Sequence, residues 1–359
     1  MTDATTSIDS RAPQPYPWLF SRNVDLLAFG GSAALALTLL AIGSWLGLLN
    51  RDSPEWTWVT AVLLIDVAHV YATGFRVYFD PHELRRRPVL YWATPLAAFV
   101  IGWAVATESV SLFWRLLAYL AVFHFVRQQY GWVALYRAKA GEHGRTGRLL
   151  DSAAIYLATI YPLVYWHCHL PRGFWWFLEG DFVELPTLIA DCLQPVYWVV
   201  MASYCARSVI QIVTRHHWNP GKDLVVATTA VCWYVGIVTF NSDYAFTVTN
   251  VIIHGIPYMA LVYWYYERQR DPTATTRRSS LVMFLATIWL LAYVEELFWD
   301  RGVWHERTWL FGQWELPVPQ TLLIALLAVP QLTHYILDGF IWKRRSNQNF
   351  AQSIARDSA

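Results

Sequence analysis

The sequence predicts an all-α, polytopic membrane protein with ten transmembrane helices in one bundle, and three observations carry that prediction. Of its 359 residues, 56% are hydrophobic and only 15% charged. The apolar residues come in runs of about 20, the length a helix needs to cross about 30 Å of hydrocarbon. Between the runs lie helix breakers and charges, and the sign of the charge alternates from one break to the next.

The elements follow in order. Residues 1–23 open with a polar stretch containing Pro13, Pro15 and Pro17 and read as a flexible tail. No basic, short-apolar, small-residue leader precedes the first run, so 24–49 is expected to stay as an anchor. Span two, 56–79, carries a polar stripe and stops at "LRRR"; span three is 89–106, and span four, 109–137, contains "VFHFVRQQYGWVALYRAKAG". Spans five and six, 149–167 and 187–214, flank "PRGFWWFLEGDFVELP"; spans seven and eight, 224–241 and 244–266, end on the aromatic run Tyr263–Tyr266. Span nine, 281–299, closes with Glu295 and Glu296, which read as solvated helix-end acids, and leads into "RGVWHERTWLFGQWELP". Span ten, 317–342, precedes a basic tail over 343–359, so that 24–342 forms a single transmembrane domain.

Orientation follows from the breaks. The joins after even-numbered spans, with the first three residues of the tail, Lys343, Arg344 and Arg345, hold sixteen Lys and Arg residues, whereas the opposite joins hold four, Arg51, Arg172, Arg301 and Arg307. Positive charge stays on the cytoplasmic side, so both termini are expected there, and the expected location is a bacterial inner (plasma) membrane. The two tryptophan-rich joins then lie at the outer face, where indole rings favour the headgroup level. Cys168, Cys192, Cys205 and Cys232 make no CxxC pair and no ligand spacing, so no zinc knuckle or disulfide framework is indicated. A net charge of +1 without a basic stripe gives no reason to expect nucleic acid as a partner.

Four even spans carry one histidine each inside the apolar stretch: His69, His124, His254 and His334. Counting back 13 residues from His82, Arg137 and Glu267, and 9 from Lys343, places them about 14–20 Å from the inner boundary. All four therefore share one layer. Ionisable groups at that depth are costly and normally face the protein interior for a functional reason. Their neighbours are polar too. Asp66, His69, Thr73, Arg76 and Asp80 recur at offsets of 3 and 4, on one face of a helix. Span ten offers Gln331, His334 and Asp338, span four His124, Arg127 and Gln128, and span eight Asn250, His254 and Tyr258.

A lone buried histidine is more often a satisfied core residue than a ligand. Four at one depth, two with a carboxylate one turn away, point to a metal. Haem asks for no anionic ligand, whereas a non-haem iron site, here expected to hold two ions, uses mixed His and Asp donors. Candidate ligands are His69, His124, His254 and His334, with Asp66 and Asp338 as ligands or as acceptors for the far ring N–H. Arg127, Gln128 and Tyr258 are expected on the substrate side, Arg127 pairing with Asp338 or Asp80 or holding an anionic head. His167 and His169 read as interfacial and exposed, and the pair His216–His217 as solvated. No Walker loop, G-x-S-x-G, HExxH or glycine-rich dinucleotide turn appears.

A histidine-lined metal centre within the bilayer resembles the integral-membrane fatty-acid desaturase and hydroxylase class, and "HGIPY" around His254 is similar to the His-Gly pairing of membrane carotene-cleaving oxygenases. The chain lacks the HxxxH and HxxHH boxes of the first class. The resemblance implies an oxidoreductase that uses O₂ and iron to hydroxylate, desaturate or cleave a hydrophobic or lipid substrate, with electrons from an external donor. Two other readings use the same residues. One is a haem-binding electron-transfer protein; the other is a proton-coupled transporter with Asp66, His69, Arg76 and Asp338 as a relay, its broken helices hinted at by Pro257 and Pro330.

Overall fold

The computed structural model describes residues 18–174, 180–214, 218–270 and 277–355. The tail up to residue 17, His216–His217, and residues 175–179 of the first tryptophan-rich join lie outside them. The fold is all-α, with no strand among the described residues. Ten helices are long and apolar enough to cross a membrane: α1 Arg22–Trp45, α2 Glu55–Tyr78, α3 Pro88–Glu108, α4 Val110–Lys139, α5 Arg145–Cys168, α6 Thr187–Thr214, α7 Pro220–Thr239, α8 Asp243–Gln269, α9 Arg278–Trp304 and α10 Gln320–Ile341. Most of the bounds read from hydropathy fall within four residues of these, because exposed apolar side chains end where the helices do.

α8 forms the axis of the bundle. Its apolar window is 78% buried, against 17% for the peripheral α6 and α9. Small residues let the neighbours come close. A Cβ on Gly255 of α8 would sit 2.6 Å from Ile65 Cγ2 and 3.1 Å from Ile65 O, so α2 and α8 touch almost backbone to backbone there. α2 and α8 are also wound in wider, π-type turns, over Trp58–Val67 and Gly74–Tyr78 in α2 and over Thr247–Val251 in α8. Turns of this kind gather at functional positions, and here they flank His69 and precede His254. α10 is interrupted at Ala328, between Gln320–Leu327 and Val329–Ile341, because Pro330 lacks the N–H that a continuous helix needs. Pro257, by contrast, lies within an unbroken helix.

The end of the bundle where both described chain ends lie is closed by charge. Asp151 accepts from Arg137, Arg207 and, at 3.3 Å, Lys222, while Glu142 takes Lys222 Nζ at 2.6 Å and Arg137 Nη1 at 3.1 Å. Arg137 and Lys222, read from the sequence as loop charges, are buried in this network. The segment read as a basic tail contributes as well. Its helix Gln348–Ala355 seats Phe350 against Trp342 and Tyr265, with ring centroids 5.0 and 6.1 Å away. At the opposite end Arg172 donates to the carbonyls of Ile237 and Phe240, capping the wide C-terminal turns of α7. The four cysteines are free.

Candidate metal centre

The four histidines converge. His69 from α2, His124 from α4, His254 from α8 and His334 from α10 are each 1–4% exposed, and their rings meet edge to face. Centroid separations are 4.7 Å for His69–His254, 4.9 Å for His69–His334, 5.2 Å for His124–His254 and 4.6 Å for His124–His334. Within this square the nitrogens pair: His69 Nε2 lies 3.1 Å from His254 Nε2, and His334 Nε2 lies 3.1 Å from His124 Nε2. Ligand atoms of His69, His124 and His254 fall within 4.8 Å of one another, as do those of His124, His334 and Asp338.

Hydrogen-bond accounting fixes one tautomer. Tyr258 donates its hydroxyl proton to Asp338 Oδ1 at 2.7 Å, so in its 3.1 Å contact with Thr73 Oγ1 the threonine must be the donor. Thr73 thereby has no proton left for His334 Nδ1, 2.8 Å away, and His334 must donate through Nδ1. The chain His334–Thr73–Tyr258–Asp338 leaves His334 Nε2 as an acceptor facing His124 Nε2, where it could take either that ring's proton or a metal. Trp342 Nε1 adds a second donor to Asp338 Oδ1 at 3.2 Å, while Asp338 Oδ2 faces His124 Nε2 at 4.0 Å. On the other side Asp66 Oδ1 stands 3.7 Å from His69 Nδ1; neither atom has a hydrogen-bond partner, nor has His254 Nδ1.

Each 3.1 Å pair has the length of an N–H···N hydrogen bond and also lies near the roughly 3.3 Å between two nitrogens bound to one ion at about 2.0–2.1 Å; the four rings do not form one tetrahedral set but, with Asp338, two overlapping groups of three, either of which could hold an ion. A haem between two axial imidazoles would hold their nitrogens about two such bonds apart, ~4 Å, with a flat macrocycle between the rings. The packed square has no slot for one.

The expectations for the substrate side divide. Tyr258 is interior and holds Asp338. Gln128 Nε2 donates to the His254 carbonyl at 2.9 Å, tying α4 to α8, while its Oε1 is left without a partner. Arg127 pairs with neither Asp338 nor Asp80: its side chain runs out to the exposed edge of α4, donates to the Tyr156 hydroxyl and lies 5.0 Å from the Tyr130 ring centroid. Asp80 caps the short helix Pro81–Arg86 by accepting from His82 and Glu83 N–H. Glu295 and Glu296 are not helix-end acids, because α9 continues to Trp304; Glu295 is buried and Glu296 half-buried. His167 is not left to solvent either; it bonds Leu163 O and Tyr119.

Two cavities adjoin the histidines. One, of about 1120 Å³, is lined by His124, Arg127, Gln128, Tyr258 and Asp338 and reaches the basic residues Arg344 and Arg345. The other, of about 420 Å³, is lined by Asp66, His69, Glu295 and Glu296 among aliphatic and tryptophan side chains. Tyr335, stacked on His124 with centroids 4.5 Å apart, lines both. Sequence reasoning gave Tyr335 no role and named Thr73 only as one of a stripe. Set against known proteins, the chain matches no family model, and neither a curated protein nor a solved structure shows significant similarity to it.

Proposed function

We propose that the histidine cluster holds one transition-metal ion, iron by preference, in a membrane-embedded non-haem oxidoreductase that oxidises a hydrophobic substrate with O₂ and electrons from an external donor. The observation that carries this reading is the convergence of four buried imidazoles, with Asp338, into two overlapping groups of three ligand atoms within 4.8 Å of one another, one ring with its tautomer set by Thr73. Because both ligand groups share His124, the donor set favours a single ion over the two expected from the carboxylates. An all-nitrogen-and-oxygen set suits iron or manganese, and zinc or copper by affinity. Bound there, iron would supply the redox chemistry for oxygen activation. The protein's own part is to offset charge through Asp338, to orient His334 through Thr73 and Tyr258, and to keep water from the reacting carbon with the apolar wall of the smaller cavity. The sixteen-to-four bias in basic residues supports cytoplasmic termini, and we read the membrane as a bacterial inner one.

Metal analysis of the purified protein tests this. The wild type is expected to carry about one equivalent, and His124→Ala and His334→Ala are expected to lose it. Equally negligible metal in all three would make the cluster a hydrogen-bonded histidine core. One feature favours a second reading: cavities on both sides of the histidine layer are what a transporter gated there would show. That protein would retain no ion through purification and would move a solute in vesicles.

A further inference from the structure

The smaller cavity gathers carboxyl groups that form no ion pair with a lysine or arginine among the described residues: Asp66, Glu295 and Glu296 all line it. Arg307, on the same wall, pairs with Glu306 at 3.2 Å and with Glu55 at 3.4 Å and also acts electrostatically on Glu296, without an ion pair to Asp66, Glu295 or Glu296. Glu295 is 8% exposed; its Oε1 takes the Trp299 indole N–H at 3.1 Å, and its Oε2 has no hydrogen-bond partner. Buried acids without an ion-pair partner either keep their protons or bind a cation, and a cation entering the cavity would hold them in their charged form. The rest of the wall says which kind. Six tryptophans, Trp58, Trp114, Trp166, Trp233, Trp299 and Trp304, line the same cavity, and three of them cluster with centroids 5.4–6.1 Å apart. Indole faces attract cations that shed water easily, and Arg307 already lies 4.0 Å over Trp58. A bare metal ion would leave most of about 420 Å³ unfilled, and these acids do not approach one another closely enough to ligate one.

We propose that this cavity binds an organic ammonium, its charge against Glu295 and Glu296 and its alkyl groups against Trp114, Trp299 and Trp304. If the oxidoreductase reading holds, the cavity's contact with His69 makes a hydrophobic ammonium compound the substrate class. The binding itself does not depend on that reading.

Equilibrium binding to the full chain in lipid nanodiscs tests the two apart, with choline as the probe and 3,3-dimethylbutan-1-ol as its uncharged isostere. Choline is expected to bind and the alcohol to bind roughly tenfold or more weakly, with Glu295→Gln/Glu296→Gln erasing that preference. Trp304→Ala is expected to weaken choline roughly threefold to tenfold. His124→Ala, which empties the proposed metal site, is expected to leave choline binding unchanged, so a failed metal analysis does not decide this result. Absent choline binding, equal binding of the two probes, or affinity indifferent to both glutamates would overturn the proposal. A circular-dichroism melt of the isosteric Gln variant checks that it folds.

Discussion

At the scale of single residues, the site depends on which hydroxyl gives its proton to which acceptor. Tyr258→Phe would remove the donor to Asp338 and free Thr73 to donate toward His334 Nδ1, shifting that ring's proton to Nε2 where the ligand lone pair should be. Metal affinity is expected to fall roughly 10–100-fold, read by chelator competition, with Thr73→Val behaving alike. Unchanged affinity in both would remove the tautomer assignment. The histidines themselves were legible, because counting from charged helix ends gives depth and depth alone gathered them. Arg127 was not, since a long side chain can turn its head to the helix edge whatever its position in the stripe. Tyr335 gave no signal at all: an aromatic next to a histidine on an apolar helix looks like any other core residue until the fold brings His124 beneath it.

At the scale of helices, the close approach of α2 and α8 sets the spacing of one histidine pair. Gly255→Ala would drive a methyl group against Ile65 and part the two helices next to His69 and His254. A loss of about 1–3 kcal/mol in stability is expected, with lower metal content, as measured by thermal melts and elemental analysis; a well-loaded, equally stable variant would mean the helices are looser than they pack here. The ten spans were readable because lipid-facing apolar residues are continuous in the chain. The helix Gln348–Ala355 was hidden because three basic residues precede it and its apolar anchors, Phe350 and Ile354, are only two. Phe350→Ala is expected to cost about 3–5 kcal/mol through the cavity left beneath Trp342, visible as a lower melting midpoint. The wide turns of α2 were also invisible, since hydropathy does not record how a helix is wound.

At the scale of the whole molecule, charge outside the spans bears on both the expected orientation and acid tolerance. Reporter fusions after residue 145 are expected to be cytoplasmic and after residue 180 external; the reverse would invert the topology. Between α2 and α3, burial pushes the Glu83 carboxyl up, but Arg76 at 3.1 Å, with donors from Arg86 and Tyr91, outweighs it and holds the group below its usual 4.5. A depressed folded value means the stabilisation is complete above pH 4.5 and is lost as pH falls through the folded value. Glu83→Gln should therefore lower the melting midpoint at neutral pH, and the gap from wild type should narrow on acidification; a constant gap would show that the ion pair contributes nothing. The network around Asp151 was legible only as a tally of basic residues, because spacing along the chain does not tell which loop charges fold under the bundle.

The tryptophans of the smaller cavity share a wall with His69, and that proximity makes the protein its own spectroscopic probe. Indole emission is quenched by an open-shell ion nearby and spared by a filled-shell ion such as zinc. Brightening on chelation would therefore reveal unpaired electrons at the histidines before any substrate is known.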